Sequence, residues 1–416
     1  MLDLRFVLDN LDAVRENCKN RRVTIDFDRL VTLARRRSEV MQELEAIRRQ
    51  RNELQKGAKG RGADAAAAEA GRRLKDEEAR QAALLKQVEA DLAVIHPQIP
   101  NMTHRDAPVG GGEEQNRELR KWGTPRTFEF APLDHVQLGE RLRLIDFASG
   151  QKATGSKFYY LTNEAVFVEL ALIEYALRKL VNEGFQPAIT PDLAKMDVLL
   201  ATGFNPRGDE SNIYCVEGTD LGLIATAEIT LGGMYQETTL PEAELPLLMA
   251  GVEPFASGAR QARTAARRRG WIACTSSARS RCSAFCAPEQ SDDLLQRLVR
   301  IEEEIYQGLG LAYRVVECCT GDLGGAAYRK YDIEAWMPGR SEHGSYGEVT
   351  SASNCSDYQA RRLGARCKGQ KTRLMHTLNG TAVACSRAMV AILENNQQRD
   401  GSVVIPRCCS GTPGSR

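Results

Sequence analysis

Two heptad seams bracketing a basic, glycine-rich break constrain this chain more than any other feature. Val40, Leu44, Ile47 and Leu54 recur at heptad steps, with Arg51 filling the one skipped seam position. A second seam, Leu74, Leu85, Val88, Leu92 and Ile95, stops before His96-Pro97. Between them, Lys56-Gly-Ala-Lys-Gly-Arg-Gly-Ala63 ends a helix with three glycines and keeps the break in water with three cations. Two long helices joined by such a turn pair antiparallel, and the pair is too thin to enclose a pocket. Its chemistry therefore lies on its surface. Lys56, Lys59 and Arg61 at the tip, with Arg48, Arg49, Arg72, Arg73 and Lys75 along the stalk, suit a large polyanion; oligomerisation or spacing is the alternative. The whole chain balances 56 basic against 55 acidic residues, so a nucleic-acid footprint has to be such a local patch rather than bulk charge.

The proline- and glycine-rich run Ile99 to Gly112 marks a boundary, and we expect an arm domain over residues 1–108 and a globular domain over 109–416. With 42% hydrophobic residues the second domain has material for a large core. Asn163 to Glu183 reads as an amphipathic helix, and Gly184 to Leu193 as an apolar strand stopped by Pro191. No run of about 18 apolar residues occurs, and Met1-Leu-Asp-Leu-Arg5 lacks a charged start before an apolar core, so a soluble cytoplasmic protein without a membrane partner is expected. The twelve cysteines are scattered without a paired Cys-x-x-Cys array, which favours reduced, mostly buried thiols over disulfides or zinc.

Chemistry-bearing residues concentrate between Tyr346 and Arg387. Glu348 and the hydroxyls of Thr350 and Ser351 stand among small residues and suit a divalent cation. Asn379-Gly-Thr-Ala-Val-Ala-Cys-Ser-Arg387 bends at a glycine and leads into an apolar helix with Arg387 near its start, which suits a phosphate chain. Together they suggest a nucleotide site. Farther upstream, strand-like Leu221 to Leu231 runs into Thr226, Ala227 and Glu228, where capping of a helix is the stronger reading of the residues alone.

Taken in order, the basic hairpin, the helix and strand ending at Pro191, Thr226-Ala-Glu228, Gly347-Glu-Val-Thr-Ser351 and Asn379 to Arg387 closely resemble bacterial-type seryl-tRNA synthetases over nearly the whole chain. The resemblance implies an α+β fold: a class II antiparallel sheet of six or seven strands flanked by helices, preceded by a coiled-coil helical arm. It implies a serine–tRNA ligase that joins serine and ATP as seryl-adenylate and passes the seryl group to tRNA(Ser), with tRNA(Sec) as a further substrate. The arm would grip tRNA, and the helix and strand ending at Pro191 would form a homodimer. Residue by residue, Thr226, Ala227, Glu228 and Thr381 match the serine contacts; Glu348, Val349, Thr350, Ser351 and Arg387 match the ATP site. Glu348 and Ser351 match ligands of the ATP-bound Mg2+, and Arg387 matches the arginine on the γ-phosphate.

The resemblance fails at one block. After Leu245 to Val252 the family shows an antiparallel strand pair, Phe-Arg-x-Glu-Ala-Gly and Val-His-Gln-Phe-x-Lys-Val-Glu, whose arginine and glutamates hold the α-phosphate, the adenine and the serine. Residues 256–283 instead form a basic, small-residue run with no carboxylate, from which no hairpin is expected. Synonymous codons read from the third base of Ala273 spell Val-His-Gln-Phe-Ser-Lys-Val-Glu-Met-Phe across Ala273 to Ser283, and the same offset spells Phe-Arg-Gly-Glu-Ala-Gly across Ala256 to Ala262. Eleven codons separate the two. A frameshift entering near Phe255 and leaving near Ser283 accounts for both, and predicts impaired adenylation by the chain as it stands. A non-catalytic paralogue that keeps RNA binding and dimerisation is the alternative. Ser402-Val-Val-Ile-Pro406 reads as a closing strand, and residues 407–416 as an altered, disordered tail.

Overall fold

A computed structural model describes residues 1–58, 65–155, 158–204, 213–253 and 278–410. They divide into two units, Met1–Met102 and Thr103–Arg416. In the first, two short helices, α1 (Leu4–Asp9) and α2 (Leu11–Asn20), precede α3 (Phe27–Ala58) and α4 (Ala65–Ile95). Asp26 starts α3, its carboxylate accepting from the Arg29 amide at 2.9 Å and its carbonyl from the Leu30 amide at 3.0 Å. Val40, Leu44 and Ile47 on α3 and Val88, Leu92 and Ile95 on α4 are buried as the heptads require. Arg51, in the skipped seam position, is partly buried and pairs with Glu78 of the opposite helix, so the polar interruption of one seam is answered from the other.

The second unit is built on an eight-stranded sheet: β1 (Arg117–Trp122), β2 (Gln186–Ile189), β3 (Leu247–Glu253), β4 (Arg279–Cys286), β5 (Tyr313–Glu317), β6 (Arg329–Met337), β7 (Ser345–Asn354) and β8 (His376–Ala384), in the order β1-β5-β6-β7-β8-β4-β3-β2. All neighbours are antiparallel except β2, which lies parallel to β3 at one edge. The sheet is thus larger than the six or seven strands expected. The helices include α5 (Glu164–Asn182), α6 (Ala227–Gly233), α7 (Ser291–Gly308), α8 (Tyr358–Leu363) and α9 (Cys385–Asn396), besides the short helices His135–Arg141 and Phe147–Thr154 before α5 and Met196–Thr202 between β2 and α6. The main core joins Leu172 and Leu180 of α5, Leu298 and Ile305 of α7 and Val390 and Ile392 of α9 to the inner residues of the sheet.

Three further expectations are overturned. β4 forms within the run expected to lack a hairpin, and pairs with β3 from Glu253↔Arg279 to Leu247↔Phe285. Arg279, Ser280, Arg281 and Cys282 do alternate, with the serine and cysteine buried, and β3 and β8 present backbone edges that any strand-compatible segment can complete. Residues 256–277 of the aberrant run lie outside the described residues. Ser402 to Pro406 is not a strand: only an isolated bridge, Gln397↔Val403, forms there, and Val404 is exposed. Nor are residues 407–410 loose, because Arg407–Cys409 is a 3-10 turn whose Cys409 side chain enters the main core. Among the described residues the cysteines are free thiols, most of them buried.

Candidate active site

Register decides which side chains share a face of this sheet. Directly opposed residues of antiparallel strands point the same way, so the pairs Asp332↔Ser351, Ser353↔Asn379, Thr381↔Arg281 and Arg279↔Glu253 put these side chains on one face. Glu348 and Ser351 are three residues apart, and a regular strand would send them to opposite faces. A β-bulge intervenes: Ile333 pairs with Thr350 and Glu334 with Glu348, leaving Val349 unpaired. The extra residue restores Glu348 to the face of Ser351. Val349 itself is buried in the main core, and the Thr350 hydroxyl is bonded to the Thr381 carbonyl.

The carboxylate of Glu348 meets Arg387 of α9 at 2.8 Å. That charge holds the Arg387 guanidinium above its ordinary range. Thr226 is the N-cap of α6, its side chain accepting from the Glu228 amide at 3.3 Å, so the capping reading is right. Capping does not occupy Glu228, whose Oε1 accepts from Gln359 Nε2 at 2.6 Å and from Asn379 Nδ2 at 2.8 Å. Burial raises the Glu228 pKa, which the two hydrogen bonds and the nearby Arg281 charge partly offset. The α6 start is clamped from below, because the Ala227 amide donates to Glu253 at the end of β3. Gly251 lets the helix sit this close: a Cβ there would lie 2.9 Å from Leu231 and 3.0 Å from Ala227.

Glu253 is completely buried and faces two arginines, Arg281 at 3.4 Å and Arg279 at 3.7 Å. Burial lowers the Arg279 pKa to about 10. The Arg281 guanidinium also donates to the Thr381 hydroxyl. On the opposite side of β8, Glu302 of α7 accepts from the Thr381 amide at 3.1 Å, while burial pushes its own pKa well up.

Thr226, Ala227, Glu228, Thr381, Glu348, Ser351 and Arg387 therefore converge on one end of the sheet. Gln359, Asn379, Glu253 and Arg281 join them and were not assigned from sequence. Asn379 lies two residues before Thr381, the spacing that puts both on one strand face; Glu253 is the one charged residue ending an otherwise apolar strand. Gln359 carries no such signal. In the arm, Arg48 reaches Glu78 at 2.9 Å, Arg49 pairs with Glu45 at 3.6 Å and Arg73 with Glu69 at 2.8 Å, while Lys56 and Arg72 are exposed on the same hairpin. Lys59 and Arg61 lie outside the described residues.

Residues 1–103 match the seryl-tRNA synthetase N-terminal domain, and residues 214–396 match the tRNA synthetase class II core domain (G, H, P, S and T). A serine–tRNA ligase of Rubrobacter xylanophilus is 50% identical over 411 residues, covering 98% of this chain and 96% of the relative. Another, from Treponema denticola, is 46% identical with 98% and 97% covered. Among solved structures, the seryl-tRNA synthetase of Pyrococcus horikoshii complexed with ATP superposes with a TM-score of 0.88 at 35% identity, covering 99% of this chain and 97% of that one. The cytoplasmic serine–tRNA ligase of Naegleria fowleri in complex with AMP gives 0.83 at 25% identity, covering 100% and 98%.

Proposed function

This chain belongs to the seryl-tRNA synthetase family, and from that membership we infer that it is a serine–tRNA ligase, activating serine with ATP and transferring it to tRNA(Ser). The observation that carries the reading is the convergence of Thr226, Glu228, Thr381, Glu348 and Arg387 on one sheet face. Glu228, oriented by Gln359 and Asn379, receives the serine ammonium beside the Thr226 cap, and Thr381 receives the serine side chain. Arg387 lies at the start of α9 and takes the γ-phosphate. Little covalent chemistry falls to the protein; its work is to align the serine carboxylate with the α-phosphate and to neutralise charge.

Glu348 and Ser351 fit a magnesium ion, because the bulge puts two hard oxygen donors on one face. Bound there with ATP, the ion would withdraw charge from the phosphates. The arm engages the tRNA, tRNA(Sec) included, through Arg48, Arg49, Lys56, Lys59, Arg61, Arg72 and Arg73. No helix among the described residues is long and apolar enough to cross a membrane, and we place the enzyme in the cytoplasm as a homodimer.

Activity of the chain as it stands is severely reduced on this reading, because the arginine and glutamates of the strand-pair motif are missing from residues 256–283. Loss of one preorganised charge contact typically costs about 10²–10³ in rate. Serine-dependent exchange of pyrophosphate into ATP is the test: near-normal exchange overturns both the impairment and the non-catalytic paralogue, while absent exchange with retained tRNA binding agrees with either of them. Resequencing the genomic DNA across Val252 to Ala287 decides the frameshift, which an intact frame matching the present residues would refute.

A further inference from the structure

The cation at the centre of the site is the protein's own. Arg281 extends from β4 across the sheet face, donates to the Thr381 hydroxyl, lies 3.4 Å from the Glu253 carboxylate and acts electrostatically on Glu228. These are a hydroxyl and two carboxylates of the kind that bind a small ammonium. In the second reading frame, the glutamate codon of Lys-Val-Glu straddles Ser280 and Arg281, so the present residues place a positive charge where that reading places a negative one.

We propose that Arg281 is an internal occupant of the amino-acid subsite, its guanidinium standing where the substrate ammonium would stand, so that the pocket admits serine only after the side chain is displaced. The inference rests on the assignment of Thr381 and Glu228 to serine. It separates the two halves of the site: ATP meets Glu348, Ser351 and Arg387, whereas serine meets a filled position. Displacement is costly because Glu253 is wholly buried and would lose one of its two guanidinium partners.

The test titrates the full chain and its Arg281→Ala variant with L-serine and, separately, with guanidinium chloride at low millimolar concentration, following thermal stability and calorimetric heat. Removing the side chain should tighten serine binding by at least about tenfold, which corresponds to about 1.4 kcal/mol, and guanidinium should stabilise the variant but not the parent. Arg281→Gln, which keeps most of the volume and a donor for Thr381, serves if the alanine variant does not fold, with the same gain for serine expected. Serine binding equally to parent and variant overturns the proposal while leaving the serine assignment intact. Guanidinium binding to the variant without serine binding supports the internal occupant and overturns the serine assignment. A folded variant that binds neither ligand overturns the proposal.

Discussion

Glu253 is the most constrained charge in the site. It is fully buried, accepts from the Ala227 amide and faces both Arg279 and Arg281. Replacing it by glutamine takes the buried carboxylate from between two partly buried guanidinium groups, and should cost about 3–5 kcal/mol in denaturant unfolding. Adding Arg281→Gln should recover part of that loss, because the two residues interact directly and their effects do not add. Glu169 on α5 is a different case, its pKa raised from 4.5 to about 7 by burial alone. A carboxyl whose folded pKa lies above its unfolded one holds its proton in the native state, so its relative contribution is lost as pH climbs from about 4.5 through 7. Glu169→Gln should therefore raise thermal stability at pH 8, by about 1–3 kcal/mol, and change it little at pH 4.5; an equal effect at both values would contradict this.

At the scale of elements, the bulge at Val349 puts Glu348 on the face of Ser351, where the nucleotide half of the site is proposed. Deleting Val349 would leave Glu348 two residues from Ser351, the spacing of one face in a regular strand, and keep it opposite Glu334. ATP with magnesium should therefore still raise the melting temperature of a Val349 deletion variant, while the unliganded variant is lowered by about 1–3 kcal/mol for the lost core side chain. A folded deletion variant that ATP no longer stabilises would contradict this account of the face. The arm poses a contrast in the same terms. Its arginines are partly committed to ion pairs with Glu45, Glu69 and Glu78, so Arg48 supports the hairpin as well as presenting charge, while Arg72 is exposed. A basic count along a helix overstates the charge available to a polyanion.

Across the second unit, the outer face of α5 carries exposed Val166, Phe167, Leu170 and Val181, and Ile189 of the neighbouring β2 is 80% exposed. Exposed apolar side chains of this kind suit an interface, and they lie on the helix and strand from which dimerisation is expected. Leu170→Arg combined with Phe167→Arg should convert the protein to monomers in sedimentation velocity, with little change in its circular dichroism. An unchanged sedimentation coefficient from a dimeric parent would exclude this face.

The helices were legible in the residues themselves. Asn163 to Glu183 predicts a helix within one residue at each end of Glu164–Asn182, and the arm seams predict the buried stripe, because helical hydrogen bonds close within the segment and its periodicity reports the buried face directly. Motif order likewise grouped Thr226, Glu228, Glu348 and Arg387, which the fold brings to one end of the sheet. Strands obey a different rule. Arg279 to Cys286 becomes β4 because β3 and β8 supply hydrogen-bonding partners separated from it by many residues, and that same pairing carries Arg281 to Thr381. The register that aligns Glu348 with Ser351 is equally a property of two strands together. Local sequence determined the arm, the helices and the chemical inventory of the site; tertiary pairing alone decided that the inventory includes Glu253 and Arg281, since facing across a sheet is set by partners rather than by neighbours along the chain.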